Sequence, residues 1–216
     1  MTLLPHSARH TRLSDRSYGE PLTQRGIDMG LYVHSLAEIP AGAERSYYIY
    51  LLDYGWEEPL GEAVRANLPR MAELASRSDA VVIHGPRGVH FEDEVLSWHQ
   101  VNGVDAKDIL PAILVTTRHP STFRESLQVR RTSKESRDAL LLIPLRKTCK
   151  SPQDVADLIQ RVFEDIKEKK QLSKFGAAKR MKRGVAGALV DAVILQPKIG
   201  GIGFDVKKFF VSAKES

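Results

Sequence analysis

The sequence has one cysteine, Cys149, among 216 residues, so an internal disulfide is excluded. No apolar run reaches the ~18 residues that a membrane-spanning helix needs. Residues 1–28 also lack the apolar core of a secretory signal. These absences argue against a disulfide-stabilised or membrane-spanning protein, and we expect a cytoplasmic one.

Several catalytic and metal-binding motifs are also missing. The chain has no GxSxG, no GxxxxGK[ST], no HExxH and no paired CxxC, so the usual serine hydrolase and nucleotide triphosphatase signatures are absent. One short stretch combines imidazole and carboxylate groups, but Glu92 and Asp93 are expected to turn away from the apolar face of their helix. We therefore predict no metal site and no cofactor.

The residues that are present are those of an ordinary globular chain, since 42% are hydrophobic. Charge is unevenly placed: residues 146–216 hold 16 Lys and Arg against 8 Asp and Glu, whereas residues 1–145 hold 16 against 19. The basic residues of 167–183 predict weak binding to nucleic acid or to an anionic membrane surface. The alternative is a solvated helix end, because no aromatic residues alternate with the bases.

Apolar segments predict strands that alternate with helices, the pattern of an α/β fold. Pro69 is expected to kink or split the first helix, and Ser151 to cap a helix that begins at Pro152. We predict a three-layer, mostly parallel sheet of four to five strands with helices on both faces. The strands are expected at 46–52, 80–83, 112–115 and 140–143.

Three regions are expected along the chain. Residues 1–28 show no periodicity and are predicted to be a disordered leader. Residues 29–175 form the predicted α/β core domain. Residues 176–216 form a C-terminal appendage that packs on the core or on a partner. Its apolar segment 184–195 needs a cover, which predicts self-association.

Ligands of parallel α/β sheets bind beyond the carboxyl ends of the strands. Asp53, Trp56, His84 and Arg118 follow predicted strands, and we expect them to bind a substrate. Glu94 lies at the edge of the apolar stripe of its helix, about 60° from Phe91. A partly desolvated carboxylate there could bind a ribose hydroxyl or stabilise an oxocarbenium ion. The alternative is an acid that pairs with Arg87 or faces water.

Segment 72–124 contains a series of short motifs: Ser76-Arg77-Ser78, Val81-Val82-Ile83, Asp93-Glu94-Val95, Leu110-Pro111 and Pro120-Ser121-Thr122-Phe123-Arg124. With these motifs the segment resembles the latter half of a Toll/interleukin-receptor (TIR) domain. The resemblance implies a signalling or effector domain whose members assemble with each other. It also implies that Glu94 is the catalytic glutamate of members that cleave the nicotinamide–ribose bond of NAD, with NAD a substrate rather than a cofactor.

Residues 54–59 follow the predicted strand 46–52, and Pro111 precedes the predicted strand 112–115. In this arrangement the chain also resembles the thioredoxin-like fold, in which a redox Trp-Cys-x-Pro-Cys would lie after the first of these strands, with Glu57 and Leu60 here at the cysteine positions. Both hypotheses stay open at this point. This resemblance implies a non-enzymatic protein-interaction module of thioredoxin-like or flavodoxin-like topology. A fully parallel sheet favours the TIR-like hypothesis, whereas an antiparallel third strand entering through a cis Pro111 favours the thioredoxin-like one.

Overall fold

A computed structural model describes residues 30–40, 42, 44–55, 57–86, 90–99, 101–102, 106–122, 140–180, 193–195 and 204–205. Its strands are β1 (Gly30–Tyr32), β2 (Tyr47–Leu52), β3 (Ala80–His84), β4 (Val101–Asn102), β5 (Ala112–Thr116), β6 (Leu140–Pro144), β7 (Val193–Leu195) and β8 (Phe204–Asp205). Its α-helices are α1 (Pro59–Ala66), α2 (Leu68–Ser76), α3 (Phe91–Trp98), α4 (Ala106–Ile109), α5 (Leu145–Thr148), α6 (Pro152–Lys167) and α7 (Gly176–Arg180), with 3₁₀ helices at Leu36–Glu38 and Leu172–Lys174. The α/β class and the four predicted strands are confirmed.

Six strands form one mixed sheet in the order β1-β3-β2-β5-β6-β7. β1 and β2 both run parallel to β3, whereas β5, β6 and β7 are antiparallel to their neighbours. The prediction of a mostly parallel sheet is therefore not confirmed. The apolar runs could not reveal this, because a strand buried on both faces is apolar throughout whichever way it runs.

Apolar side chains cover both faces of the sheet. Odd-numbered residues of β2, such as Ile49, pack in one cluster with α1, α2 and α6. Even-numbered residues, such as Tyr50, pack on the other face with α3 and the segment 106–110. This alternation follows from the two-residue period of a strand.

Two predictions about helix boundaries are confirmed. Asn67 separates α1 from α2, and Pro69 lies in the first turn of α2, so the predicted split is confirmed. The Ser151 side chain accepts a hydrogen bond from the Asp154 amide, and Asp154 caps the Ser151 amide in return. This capping box, with Pro152 in the first turn, fixes the start of α6.

Two features concern the ends of the described chain. Ala178 of α7 is buried in the core, and β7 adds a sixth strand beside β6. The predicted leader and the apolar segment 184–195 fall almost wholly outside the described residues and stay predictions. Within the described ranges, no helix has the length and apolar character needed to cross a bilayer.

Candidate functional site

The carboxyl end of β2 carries a network of charged groups, most of them partly buried. Asp53 directly follows β2, and its side chain is 12% exposed. Its carboxylate accepts a hydrogen bond from the Gly55 amide at 3.0 Å and pairs with the Arg65 guanidinium. A Cβ at Gly61 would lie 3.1–3.3 Å from this carboxylate, so the glycine lets α1 approach Asp53 closely.

Three consecutive acids in the first turn of α3 contact different segments. Glu92 Oε1 accepts a hydrogen bond from the Asp53 amide at 3.1 Å. Asp93 accepts from the Tyr54 hydroxyl at 2.8 Å and contacts the His90 ring, also at 2.8 Å. The acidic turn thereby ties α3 to the end of β2 and to the residue that follows Asp53.

Glu94 binds the segment after β1. Its carboxylate accepts hydrogen bonds from the Ser35 hydroxyl at 2.8 Å and the Leu36 amide at 3.1 Å, so it caps the 3₁₀ helix Leu36–Glu38. Both oxygens of Glu94 therefore have protein donors. A groove of about 460 Å³ lies on the opposite face of the sheet, and Glu94 does not line it. The catalytic role of Glu94 stays a prediction.

Glu92 is the acid with the most unusual surroundings. It is 2% exposed, and its Oε2 is buried without a hydrogen-bond partner among the described residues. Burial raises the pKa of Glu92 from its ordinary value of 4.5 to about 7, and the nearby Asp93 carboxylate adds to the rise. A backbone hydrogen bond and His90 oppose it. Glu92 is thus a proton-binding group at neutral pH.

A second ion pair, between Arg146 and Glu58, lies beside the start of α1. The Arg146 guanidinium donates to Glu58 Oε2 at 2.8 and 3.1 Å, and to the Lys107 carbonyl at 3.2 Å. The Leu145 amide next to it donates to the Pro111 carbonyl at 2.9 Å. The peptide bond between Leu110 and Pro111 is cis. These contacts join α5, the segment before β5 and the start of α1 in one place.

The predicted substrate-binding residues do not all meet. Asp53 directly follows β2 and His84 is the last residue of β3. Because these strands are parallel, both residues lie at the same end of the strands. His84 is half-buried, and burial lowers its pKa. Arg118 follows β5, which is antiparallel to β2, so it lies at the opposite end of the strands. Its guanidinium donates a hydrogen bond to the Thr122 hydroxyl. Trp56 lies outside the described residues.

Glu92 was missed because its helix has a wider buried face than Phe91, Val95 and Trp98 suggest. Leu96 and His99 are buried as well, and they follow Glu92 at the i+4 and i+7 positions of the same helical stripe. The expectation that Glu92 turns away from the apolar face is therefore wrong. Leu96 was the available signal in the sequence.

His99 packs inside the second cluster rather than in an open site. Its Nδ1 contacts the Val95 carbonyl at 2.8 Å, and its ring lies 4.9 Å from that of Tyr50 in a T-shaped arrangement. Burial lowers the pKa of His99 to about 4, so the ring is neutral at physiological pH. Within the described ranges, no three His, Cys, Asp or Glu side chains are grouped so as to hold a metal ion.

Comparison of the chain with protein-family models, curated proteins and solved structures returned no match.

Proposed function

We propose that this chain is a thioredoxin-like module without thiol chemistry, and that it works by binding another protein. The observation that carries the proposal is the direction of β5, which enters the sheet antiparallel directly after Pro111. This is the arrangement by which the thioredoxin-like hypothesis differs from the TIR-like one. Glu57 and Leu60 occupy the positions of the two redox cysteines.

The hydrogen bonds and ion pairs of three acids near the carboxyl end of β2 support binding rather than turnover. Asp53, Glu58 and Glu94 each have a protein partner that holds the carboxylate in place. A catalytic acid or base has to reach the substrate proton within hydrogen-bond distance. Carboxylates already engaged by guanidinium and amide groups serve instead to hold the surrounding loops rigid.

The exposed groups indicate what kind of partner fits this surface. Glu57 and Glu62 are exposed at the start of α1, whereas the neighbouring Arg65 and Arg146 are each paired with an acid. Uncompensated carboxylates favour a partner with the opposite charge. We therefore expect the surface to bind a peptide segment that carries lysine or arginine.

A peptide-display selection on the immobilised chain tests this expectation. Selected peptides should be basic, and the double variant Glu57→Lys/Glu62→Lys should bind them about tenfold or more weakly because attraction becomes repulsion. Binding should also weaken as salt rises. The control Asp157→Lys, on the exposed side of α6, should leave binding unchanged. Equal losses in both variants, or selection of acidic peptides, would contradict the proposal.

A gain-of-function experiment tests the thioredoxin-like placement itself. In a Cys149→Ala background, Glu57→Cys/Leu60→Cys creates Trp-Cys-Glu-Pro-Cys at the start of α1. A thiol at a helix N-terminus has a lowered pKa, so we expect insulin disulfide reduction at least about tenfold above the background. The matched control Gln153→Cys/Ala156→Cys places the same spacing at the start of α6, which follows α5 rather than a strand of the sheet. If the position after β2 is required, and not a helix N-terminus alone, this control should stay inactive. An inactive 57/60 variant that is folded would refute the placement.

Incubation with NAD separates the proposal from the TIR-like hypothesis. We expect the wild-type chain to release no nicotinamide, as measured by chromatography. Release that disappears in a folded Glu94→Gln variant would overturn the proposal in favour of NAD cleavage.

A further inference from the structure

β1 forms one edge of the mixed sheet. The Val33 amide donates to the His84 carbonyl at 3.0 Å, which sets the direction of the backbone groups along β1. In a parallel pair of strands, the backbone N–H and C=O groups of every second residue point toward the same neighbouring strand. The backbone groups of Leu31 therefore point toward β3, as the amide of Val33 does. The N–H and C=O groups of Gly30 and Tyr32 therefore point outward. No strand in the described part of the chain pairs with that outer side.

The two residues whose backbone groups point outward, Gly30 and Tyr32, differ strongly in size. Tyr32 is 56% exposed and is the one large hydrophobic side chain that is exposed in the described ranges. Gly30 lies on the same face of the strand and has no side chain. A Cβ at Gly30 would lie 3.1 Å from the Ala72 Cβ, so the glycine borders α2 directly.

A groove of about 460 Å³ runs along this face, between β1 and α2. Leu68, Pro69 and Ala72 supply its apolar wall, and His84 closes one side. The ring of Tyr32 contacts that of His84 at 4.9 Å, so the tyrosine stands at the end of the groove rather than in it. An aromatic side chain placed opposite Gly30 would enter the groove.

We propose that a second copy of this chain pairs antiparallel with β1 about a two-fold axis at Leu31. This register places Tyr32 of each copy opposite Gly30 of the other, with its ring in the groove beside Ala72. Gly30 and Tyr32 then form a hydrogen-bonded pair on each side of the axis, because their backbone groups point outward. The two Leu31 residues face each other as the pair without hydrogen bonds.

A second copy fits better than an unrelated strand because the groove and the ring that fills it are two residues apart on one strand. Antiparallel pairing centred on Leu31 exchanges positions 30 and 32, so each contact is made twice by symmetry. An aromatic residue opposite a glycine is a favoured cross-strand pair. The paired strand is short, and we expect a weak dimer with a dissociation constant on the order of 10 μM.

Sedimentation velocity of the full chain from about 1 to about 200 μM tests the dimer. We expect self-association in wild type and in Tyr32→Phe, which keeps the ring. Tyr32→Ser should weaken it at least about tenfold, because the groove loses its occupant. Gln153→Ser, on the exposed side of α6, should behave as wild type. Tyr32 is exposed, so circular dichroism and the unfolding midpoint should not change.

Disulfide cross-linking tests the register. In a Cys149→Ala background, Leu31→Cys should cross-link two copies on oxidation, since a pair without hydrogen bonds holds its Cα atoms about 4.5 Å apart. His34→Cys, three residues from the axis, should not. A chain that stays monomeric, a dimer insensitive to Tyr32→Ser, or equal cross-linking at both positions would overturn the proposal. Because the proposal depends on β1 and the groove beside it, and not on the thioredoxin-like placement, failure of the redox or peptide experiments leaves it standing.

Discussion

Gly85→Ala should destabilise the protein by about 3 kcal/mol, the upper part of the usual range for an overpacked core. Gly85 directly follows β3, and a Cβ there would lie 2.3 Å from Phe91 Cγ and 2.4 Å from Phe91 Cβ. Phe91 is 1% exposed, and its Cβ is attached to the backbone of α3. The added methyl group therefore has to displace the start of the helix.

Urea or guanidinium unfolding measures the loss as a lowered midpoint with an unchanged slope. Gly42→Ala is the matched control, because no atom of the described residues lies within 4 Å of the Cβ it would add. We expect this control to change the free energy of unfolding by less than about 0.5 kcal/mol. A Gly85→Ala protein as stable as the control would show that α3 does not pack against the end of β3.

The second large effect concerns the dependence of stability on pH. Glu92 has a pKa of about 7 in the folded protein, raised from 4.5 by burial. Below pH 4.5 the side chain is protonated in both states, and its contribution to stability is fully present. Between pH 4.5 and 7 the unfolded chain loses this proton first, so stability falls as pH rises.

The size of the loss follows from the pKa difference. At 1.36 kcal/mol per pKa unit, the difference between 4.5 and about 7 means that ionisation of Glu92 costs about 3 kcal/mol at pH 8. Glu92→Gln removes the charge and keeps an oxygen that can accept the hydrogen bond from the Asp53 amide. We therefore expect the variant to be about 2 kcal/mol more stable than wild type at pH 8 and to lack this part of the pH dependence.

Denaturant unfolding at intervals from pH 4 to pH 9 measures both features. Glu62→Gln is the control, since Glu62 is exposed on α1, and it should keep the wild-type pH profile. A Glu92→Gln variant that loses stability equally at every pH would show that Glu92 acts through its hydrogen bond to Asp53 rather than through its proton.

Much of the secondary structure could be predicted from local signals. The apolar runs of β2, β3, β5 and β6 are long enough to identify strands, and the cap at Ser151 identifies the start of α6. These signals are readable because each depends on residues within one or two turns of chain. The bounds differ from the expected ones by one residue at most for these strands.

Local signals could not predict at which end of the sheet's strands each loop lies. Arg118 and Asp53 both follow strands, which predicts one shared site. Because β5 is antiparallel to β2, Arg118 lies at the opposite end of the strands from Asp53. The partners of the acidic turn in α3 were also unpredictable. Glu92, Asp93 and Glu94 are adjacent in sequence, yet each accepts a hydrogen bond from a residue 39 to 59 positions away.

The order of amino acids alone decided which segments become the four central strands β2, β3, β5 and β6 and the longer helices, because hydrophobic period, proline position and capping act over a few residues. It also decided that no pair of cysteines can carry thiol chemistry. Only the tertiary structure decided the direction of β5, the burial of Glu92 and the outward-facing edge at Gly30 and Tyr32. These properties depend on which distant segments pack together, and packing sets the solvent access that controls hydrogen bonding and charge.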